Sequence, residues 1–354
     1  MGGVTGRITK MAFAKFATNS WGAAASVTKG VYFESDGGLK YAPAIVDDET
    51  FGQVFKQVSD RGDIAPVEVD WTQPARYNDW SYVLEALAMG SPATVAISTS
   101  VTGQTTSWLH VFDLADVIDG LGATFAFDKS LYVDEVTSAK ISGWSLEVGE
   151  GGVFKQAFHV LGSAPTNVSA TNINSTVAGA SYPALGNRIF RRQATFRMNL
   201  QSAGGLAAGD AVQYETIKLD FRRPQDFAHV GGSDSIIEPA DTGTPVFTME
   251  IGYPRMTTVS ANSLYAGLRD STVFKADLTC LGSYINSTDQ YKVLYQAPHV
   301  QLRDFEAPVV GLNQVKPKAI FDLRLATSSP TGMAFVRPFR LTRIMTNSLG
   351  GFVA

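Results

Sequence analysis

The stretch ISGWSLEV at residues 141–148 is followed by EGG at 150–152 and by FKQAFHVL at 154–161. Apolar and polar side chains alternate along the first run. Such alternation places one face of a strand in a core and the other face in water or against a partner. The adjacent glycines supply the positive φ angles that a tight hairpin turn requires. These residues therefore predict a β-hairpin, and they indicate a mainly β fold for the chain.

The same period of two recurs along the chain, whereas helical patterns are scarce. Further alternating runs occupy residues 67–71, 247–251, 274–280, 300–305 and 319–325. Val, Ile, Thr and aromatic residues are common in these runs, as strands prefer. Only residues 78–89 and, more weakly, 260–268 have the spacing of short amphipathic helices with one apolar face.

Two parts of the chain repeat one order of elements, at residues 67–98 and 247–280. In each, a strand leads through a Pro-Arg turn into a short helix, a polar break and another strand. The hairpin strand at 139–148 has a counterpart at 297–306, so we predict an internal duplication. Residues 164–187 are rich in Ser, Thr, Asn and Gly, a composition that suits a linker between the two copies. The predicted divisions are a first domain at 1–165, a linker at 166–187, a second domain at 188–326 and a C-terminal extension at 327–354.

The totals exclude several classes of protein. The chain has 354 residues, of which 45% are hydrophobic and 18% charged, and its net charge is −4. This composition supports folded cores, and the mild acidity gives no general attraction to DNA or anionic lipid. The single cysteine, Cys280, cannot form an intramolecular disulfide or a thiolate metal site alone. No run of about 18 apolar residues predicts a membrane helix, so we expect no membrane partner.

Residues with catalytic potential do not combine into recognisable motifs. None of the four histidines has a second histidine at metal-binding spacing. Asp113, Asp116 and Asp119 are spaced by three, whereas calcium loops use a spacing of two and a later Glu, so a solvated turn explains them better. Cys280 lies on the apolar phase of its run and is expected to be buried. We therefore expect no enzyme activity, no cofactor and no metal site.

Scattered residues in both halves resemble those of tail tube proteins, in the two-domain type of this family. These are the major tail proteins of siphophages, the bacteriophages with long non-contractile tails. In the first half the resemblance lies in PARYNDW at 74–80, LEAL at 84–87 and SGWSLEV at 142–148. In the second half it lies in EP at 238–239, YPR at 253–255 and FEAPV at 305–309. It covers most of residues 10–326 as a pattern of strands and turns.

The resemblance implies two tandem β-sandwich or half-barrel domains, each with one short helix, whose sheets join those of neighbouring subunits in a closed inner barrel. Single-domain members place six copies in a ring, so a duplicated chain implies rings of three chains. The implied function is a structural subunit of the tail tube, through which the genome passes without specific binding. The implied partners are further copies, the tape measure protein and the tail terminator and initiator proteins. The implied location is the virion tail, assembled in the host bacterial cytoplasm.

Two sets of candidate functional residues follow. Polar members of the long hairpin strands are expected to line the channel, namely Ser142, Ser145, Glu147, Gln301 and Arg303. An error of one residue in strand phase would invert this face. The segment 36–65 and the extension are expected to contact adjacent rings, through Asp47, Asp48, Glu49, Arg337, Arg340 and Arg343. Because each phosphate contact strengthens DNA binding, we expect an acidic or neutral lining.

Two other functions stay open at this point. One is another β-structural protein of a phage virion, such as a decoration or minor tail protein. The other is carbohydrate binding through the five tryptophans. Three of them, Trp71, Trp80 and Trp144, lie in strand or helix patterns that suit packing, and no carboxylate pair of the kind glycosidases use accompanies Trp21 or Trp108.

Overall fold

Strands make up most of the regular structure, as the alternating sequence predicts. The computed structural model describes residues 10–15, 20–34, 39, 43–47, 59–90, 96–100, 107–184, 186–231, 236–255, 267–307 and 315–346. In this part of the chain the fold is mainly β, with short helices between some strands. Every alternating run named above falls wholly or mostly within one strand.

The first ten strands precede residue 165. They are β1 (Lys10–Lys15), β2 (Lys29–Val31), β3 (Pro43–Asp47), β4 (Ser59–Ile64), β5 (Val67–Pro74), β6 (Ala96–Ser100), β7 (Trp108–Asp113), β8 (Ala123–Asp128), β9 (Val133–Val148) and β10 (Phe154–Gly162). The later strands are β11 (Ala194–Leu200), β12 (Thr216–Arg222), β13 (Gln225–Asp226), β14 (Ala240–Asp241), β15 (Val246–Gly252), β16 (Val273–Tyr284), β17 (Gln290–Glu306), β18 (Lys318–Leu323) and β19 (Arg340–Met345). Two α-helices lie wholly within the described residues, α1 (Ser81–Met89) and α2 (Asn174–Gly179).

One run of seven antiparallel strands connects the two halves of the chain. Its order is β5-β10-β9-β12-β15-β18-β17, and we call it the seven-strand run. The halves meet where β12 pairs with residues 143–147 of β9. A second connection is made by β19, which lies between β17 and β7. Among the described strands the path does not close on itself.

Five strands in each half pair in the same order. In the first half the order is β1-β8-β9-β10-β5, and in the second half it is β11-β16-β17-β18-β15. Chain order is also preserved, and a two-stranded hairpin precedes β5 and β15 alike. This shared topology agrees with an internal duplication. The division into two domains stays a prediction, because both halves belong to one continuous sheet.

Equivalent contacts anchor one glutamate in each half, Glu34 and Glu215. The Glu34 N–H donates to Thr72 O on β5 at 2.7 Å, and its carboxylate pairs with Lys155 Nζ at 2.7 Å. The Glu215 N–H donates to the last carbonyl of β15 at 2.7 Å, and its carboxylate pairs with Lys316 Nζ at 2.7 Å. The preceding residues read VYF and VQY, respectively. The two halves are thus equivalent down to individual contacts.

The alignment of the two long strands differs by three residues from the one expected from sequence. A bulge in β9 separates Ile141 from Gly143 opposite β10, and a bulge in β17 separates Leu302 from Asp304 opposite β18. Matching the bulges aligns Ile141 with Leu302, whereas matching the alternation places it opposite residue 299. The extra residue of a bulge reverses the strand phase, and alternation alone does not detect it.

The predicted first helix is present, but it is buried on all sides rather than on one face. All nine residues of α1 are buried, and the N–H of Ser81 donates to the Asp79 carboxylate at 3.1 Å near the start. Gly90 ends the helix with a φ of 133°, which glycine tolerates. Of the second predicted helix, only residues 267 and 268 are described, and they are helical. No helix in the described part of the chain is long and apolar enough to cross a membrane.

One apolar core serves both halves. Trp144 stacks on Tyr295 with ring centroids 5.7 Å apart, and Phe339 packs on Phe247 at 4.4 Å. Cys280 is fully buried in the same core, and burial raises the pKa of its thiol to about 12. The expectation that Cys280 is buried is therefore confirmed.

Residues 166–187 bury more than the expected linker does. Asn172 is fully buried; its carbonyl accepts the Val27 N–H at 2.9 Å, and its amide donates to Ala25 O at 3.0 Å and to Glu135. Val177 in α2 is buried as well. A polar composition suggested a loose segment, but buried polar groups are stable when each finds a hydrogen-bond partner. The described part of this segment is docked on the first half.

Candidate functional site

The polar face of the seven-strand run is the candidate functional surface. Opposite the buried alternate residues, polar side chains line up across strands through direct register pairs. One transverse row contains Thr72, Ala157, Ser145, Asp220, Thr248, Asp322 and Gln301. The row crosses all seven strands and both halves, so the polar face is a single surface.

The structure places four of the five predicted channel-lining residues on this face. Ser145 and Gln301 belong to the transverse row, Glu147 lies opposite Lys218, and Arg303 reaches Asp322. Arg303 is the bulged residue of β17, and the fifth candidate, Ser142, is the bulged residue of β9, where its hydroxyl donates to His159 O at 3.3 Å. Whether this face lines a channel stays a prediction.

Charges of both signs are interspersed on the polar face. The acidic side chains are Glu68, Asp70, Glu147, Asp220, Glu250, Asp304, Glu306 and Asp322, and the basic ones are Lys155, Lys218, Arg222, Arg303, Lys318 and Arg324. Lys318 pairs with Glu250 at 3.0 Å. The described part of the face is therefore close to neutral with a slight acidic excess, which offers a polyanion little net attraction.

Asp322 is shared by two arginines at one end of the face. Its Oδ1 lies 3.3 Å from Arg303 Nη1, and its Oδ2 lies 3.2 Å from Arg324 Nη2. Both arginine side chains are about half exposed, whereas the Asp322 side chain is 21% exposed. Partial burial, and then the charge of Arg324, lower the pKa of the neighbouring His299. The carboxylate thus holds two cations that otherwise face solvent.

A second charge cluster lies on β10, β5 and β12. His159 contacts Asp70 through Nδ1, and its Nε2 lies 3.8 Å from Asp220 Oδ1. Arg222 Nε lies 3.5 Å from the same Asp220 oxygen. Burial alone would raise the pKa of Asp220, but the contacts with His159 and Arg222 lower it. Gly143 lies beneath, where a Cβ would come within 2.7 Å of the His159 ring.

The predicted ring-contact arginines of the extension pair with carboxylates of the first half of the same chain. Arg337 binds Asp116 through two contacts, and Arg340 binds Asp113 through two contacts of 2.5 and 2.7 Å. The third acidic residue of that spaced set, Asp119, lies 3.3 Å from Lys140. Asp116 and Asp119 stay 76% and 68% exposed, as expected for a solvated segment, and all three aspartates also form ion pairs.

Arg343 is fully buried, which corrects its assignment as a ring contact. Its guanidinium binds Glu85 of α1 through two hydrogen bonds, of 2.8 and 2.5 Å, and donates to Arg76 O at 2.9 Å. Burial alone would lower the pKa of Arg343, but the Glu85 carboxylate reverses this effect and raises it. With no exposed surface, this side chain cannot reach a neighbouring ring. Arg337 and Arg340 are partly exposed, so their contacts with adjacent rings stay predictions.

Among the acidic ring-contact candidates, Asp47 is the last residue of β3. Asp48 and Glu49 lie outside the described residues. The β3–β4 hairpin forms a separate two-stranded sheet. The predicted role of this segment therefore stays a prediction.

The tryptophans do not form a shared platform. Trp71 and Trp144 are buried in the core, which confirms their expected packing role. Trp21 lines a groove of about 640 Å³ with Pro165, Val168 and Ile236, and its Nε1 donates to Ile236 O at 2.9 Å. Among the described residues, no group of three or more His, Cys, Asp or Glu side chains is placed to hold a metal ion.

Comparison with known proteins gives little further information. No protein family and no curated protein matches this chain. A chain in the cryo-EM structure of the anti-feeding prophage baseplate, 6-fold symmetrised, is similar at 8% identity with a TM-score of 0.29. The similarity covers 40% of this chain and 91% of that chain. A similarity of this size does not establish a function.

Proposed function

We propose that this protein is the structural subunit of a phage tail tube, without catalytic activity. In this proposal it assembles with itself into stacked rings of three chains, which enclose the channel for genome passage. The tape measure protein and the tail terminator and initiator proteins are its further proposed partners. The virion tail is its proposed location, after assembly in the bacterial cytoplasm.

The observation that carries the proposal is the repeated strand order in the seven-strand run. The first half contributes β5-β10-β9 and the second half contributes β15-β18-β17, joined by β12. A protein that already joins two equivalent halves edge to edge can use the same join between chains. Repetition of one join generates a closed ring when the rotation per unit divides a full turn. Closure also removes exposed strand edges.

The position of β12 in the chain supports the proposal that the same strand pairing is used between chains. In the second half, β12 directly follows Glu215 and pairs with β9. In the first half, residues 35–38, which follow the equivalent Glu34, lie outside the described part of the chain. We propose that the first half makes the equivalent join with the end of β17 in the next chain. Six equivalent halves then complete a ring of three chains.

The polar face supports the same function through its charge. In a ring built this way, the apolar side of the sheet packs on the core and the polar face is left to line the enclosed space. Its interspersed charges leave it near neutral, and a near-neutral surface gains little from counterion release when DNA passes. An enclosed passage for DNA requires such a surface.

Electron microscopy and mass measurement test the proposal together. Purified protein is imaged by negative stain over a range of concentrations, and the smallest ring is weighed by native mass spectrometry. We expect hollow rings or tubes with threefold symmetry and a ring mass of three times the 38.0 kDa of one chain. A protein that stays monomeric at high concentration, even with the tail initiator present, would contradict the proposal.

The same images distinguish the other structural function. A decoration or minor tail protein is expected to form closed oligomers or to bind a virion surface without extending into tubes. A ring with the mass of six chains would be compatible with a tube function. It would contradict the proposal that the two halves of one chain occupy equivalent positions in the ring. Carbohydrate binding has no support from the placement of the tryptophans, and a glycan array without signal is its expected result.

A further inference from the structure

Among the described carboxylates of the polar face, Asp322 alone has an arginine at each of its two oxygens. Each of its two oxygens contacts a different arginine, Arg303 on the bulge of β17 and Arg324 just beyond β18. It lies in the transverse row between Thr248 and Gln301, which carry no charge. Removal of its charge therefore leaves two adjacent guanidinium groups without a counter-charge from their shared partner.

Two exposed guanidinium groups that lie close together attract phosphate strongly. Arginine binds phosphate oxygens through paired, charge-assisted hydrogen bonds. The side chains of Arg303 and Arg324 are 51% and 57% exposed, so a nucleic-acid backbone can reach them. The competing acceptor is Asp322, which already occupies one nitrogen of each arginine.

We propose that Asp322 is a specificity-determining residue that prevents the polar face from holding nucleic acid. It keeps Arg303 and Arg324 in ion pairs, so that they preserve charge balance and hydration without capturing phosphate. The inference rests on the proposed function only in taking DNA as the polyanion that this face meets. The alternative arrangement, a face free of arginines, would instead leave a strongly acidic surface with large self-repulsion.

A matched pair of substitutions tests this role. Asp322→Asn keeps the shape and removes one negative charge beside the two arginines. Glu68→Gln removes the same charge from the same face, but Glu68 has no ion-pair partner among the described residues. Asp322 is partly exposed and Asn is isosteric, so both variants should fold; circular dichroism and thermal unfolding verify this.

The measurement is binding of a fluorescent 20-base-pair DNA duplex to the unassembled protein, at several salt concentrations. We expect Asp322→Asn to bind about tenfold more tightly than wild type at low salt, and log K to depend on log salt more steeply by about two, as two freed cations imply. Glu68→Gln should stay within about twofold of wild type. Arg303→Gln and Arg324→Gln, added to Asp322→Asn, should abolish the gain.

Three results would overturn the inference. They are equal DNA binding by both single variants, strong binding by the wild type through the two arginines, and a gain that survives their replacement. None of these results depends on ring assembly, which is scored separately by microscopy. Failure of the wild type to form rings would count against the tube function and leave the role of Asp322 intact.

Discussion

Arg343 links the extension to the first half, and its loss should be costly. The guanidinium is fully buried and satisfies both oxygens of Glu85, which is 1% exposed. Arg343→Met leaves that carboxylate buried without a partner, so we expect a loss of about 3–5 kcal/mol in the free energy of unfolding. Urea denaturation monitored by tryptophan fluorescence measures it.

The control is Arg340→Met, which breaks the partly exposed pair with Asp113. This change should cost about 1 kcal/mol or less. The double variant Arg343→Met with Glu85→Met removes both charges of the pair and should recover much of the loss, with the nearby Asp79 then losing the favourable charge of Arg343. If Arg343→Met and Arg340→Met lowered the free energy of unfolding equally, the buried ion pair would contribute no more to stability than the partly exposed one.

Asp79 gives a pH dependence with a definite sign. Burial raises the pKa of this carboxyl, although Arg343 and Ser81 oppose the shift. In the unfolded chain Asp titrates near its ordinary pKa of about 3.9. Between these two pKa values the folded state binds more protons than the unfolded state, so this group lowers stability as pH rises. The penalty is complete above the folded pKa and absent below the unfolded one.

Asp79→Asn removes this titration and keeps a side-chain acceptor for the Ser81 N–H. The wild type should therefore gain stability relative to the variant as the pH falls from 7 toward 4. Urea unfolding of both proteins at a series of pH values gives the difference in the free energy of unfolding. A difference that is constant across the range, or that grows in the opposite direction, would reject this account.

Ion pairs between residues far apart in the chain could not be predicted from the sequence. The extension has three arginines at spacing of three, and the first half has three aspartates at the same spacing. Two pairs form between these sets, Arg337 with Asp116 and Arg340 with Asp113, and their pairing across 221 and 227 residues was not predictable because ion pairs leave no local pattern. By contrast, Cys280 and the alternating polar positions Ser145 and Gln301 were placed correctly, because strand periodicity decides which side of a sheet a residue occupies.

At the element scale, the join between β9 and β12 depends on Gly143. A Cβ at this position would come within 2.5 Å of Phe221 O on β12 and 2.7 Å of His159 Cδ2. The backbone oxygen cannot move without disturbing the strand pairing. Gly143→Ala should therefore lower the free energy of unfolding by about 1–3 kcal/mol, measured by chemical denaturation.

Gly179→Ala is the matched control. A Cβ there meets nothing within 4 Å, and the residue ends α2 without a positive φ. This substitution should be neutral or slightly stabilising. If both substitutions proved neutral, the close approach of β12 to β9 would not describe the protein in solution.

The positions of strands could be predicted where the alternation of apolar and polar residues is regular. The prediction was wrong where a bulge interrupts that alternation. The hairpin of β9 and β10 and the helix α1 lie where the sequence places them. The alignment of β17 with β9 was wrong by three residues, because each strand contains a bulge next to β10 or β18. The all-round burial of α1 was missed because Glu85, a charged residue, is paired inside the core.

At the scale of the whole molecule, the two halves should unfold together. They share the seven-strand run, the β7–β19 pairing and one apolar core in which Trp144 packs on Tyr295 and Phe339. Neither half can lose its strands without exposing core of the other. Calorimetry on dilute, unassembled protein should show a single transition whose van't Hoff and calorimetric enthalpies agree. Gly143→Ala should lower its midpoint without splitting it. Two separate transitions would mean that the halves are independent domains, each stable without the join, and the duplicated chain would then act as two tethered subunits.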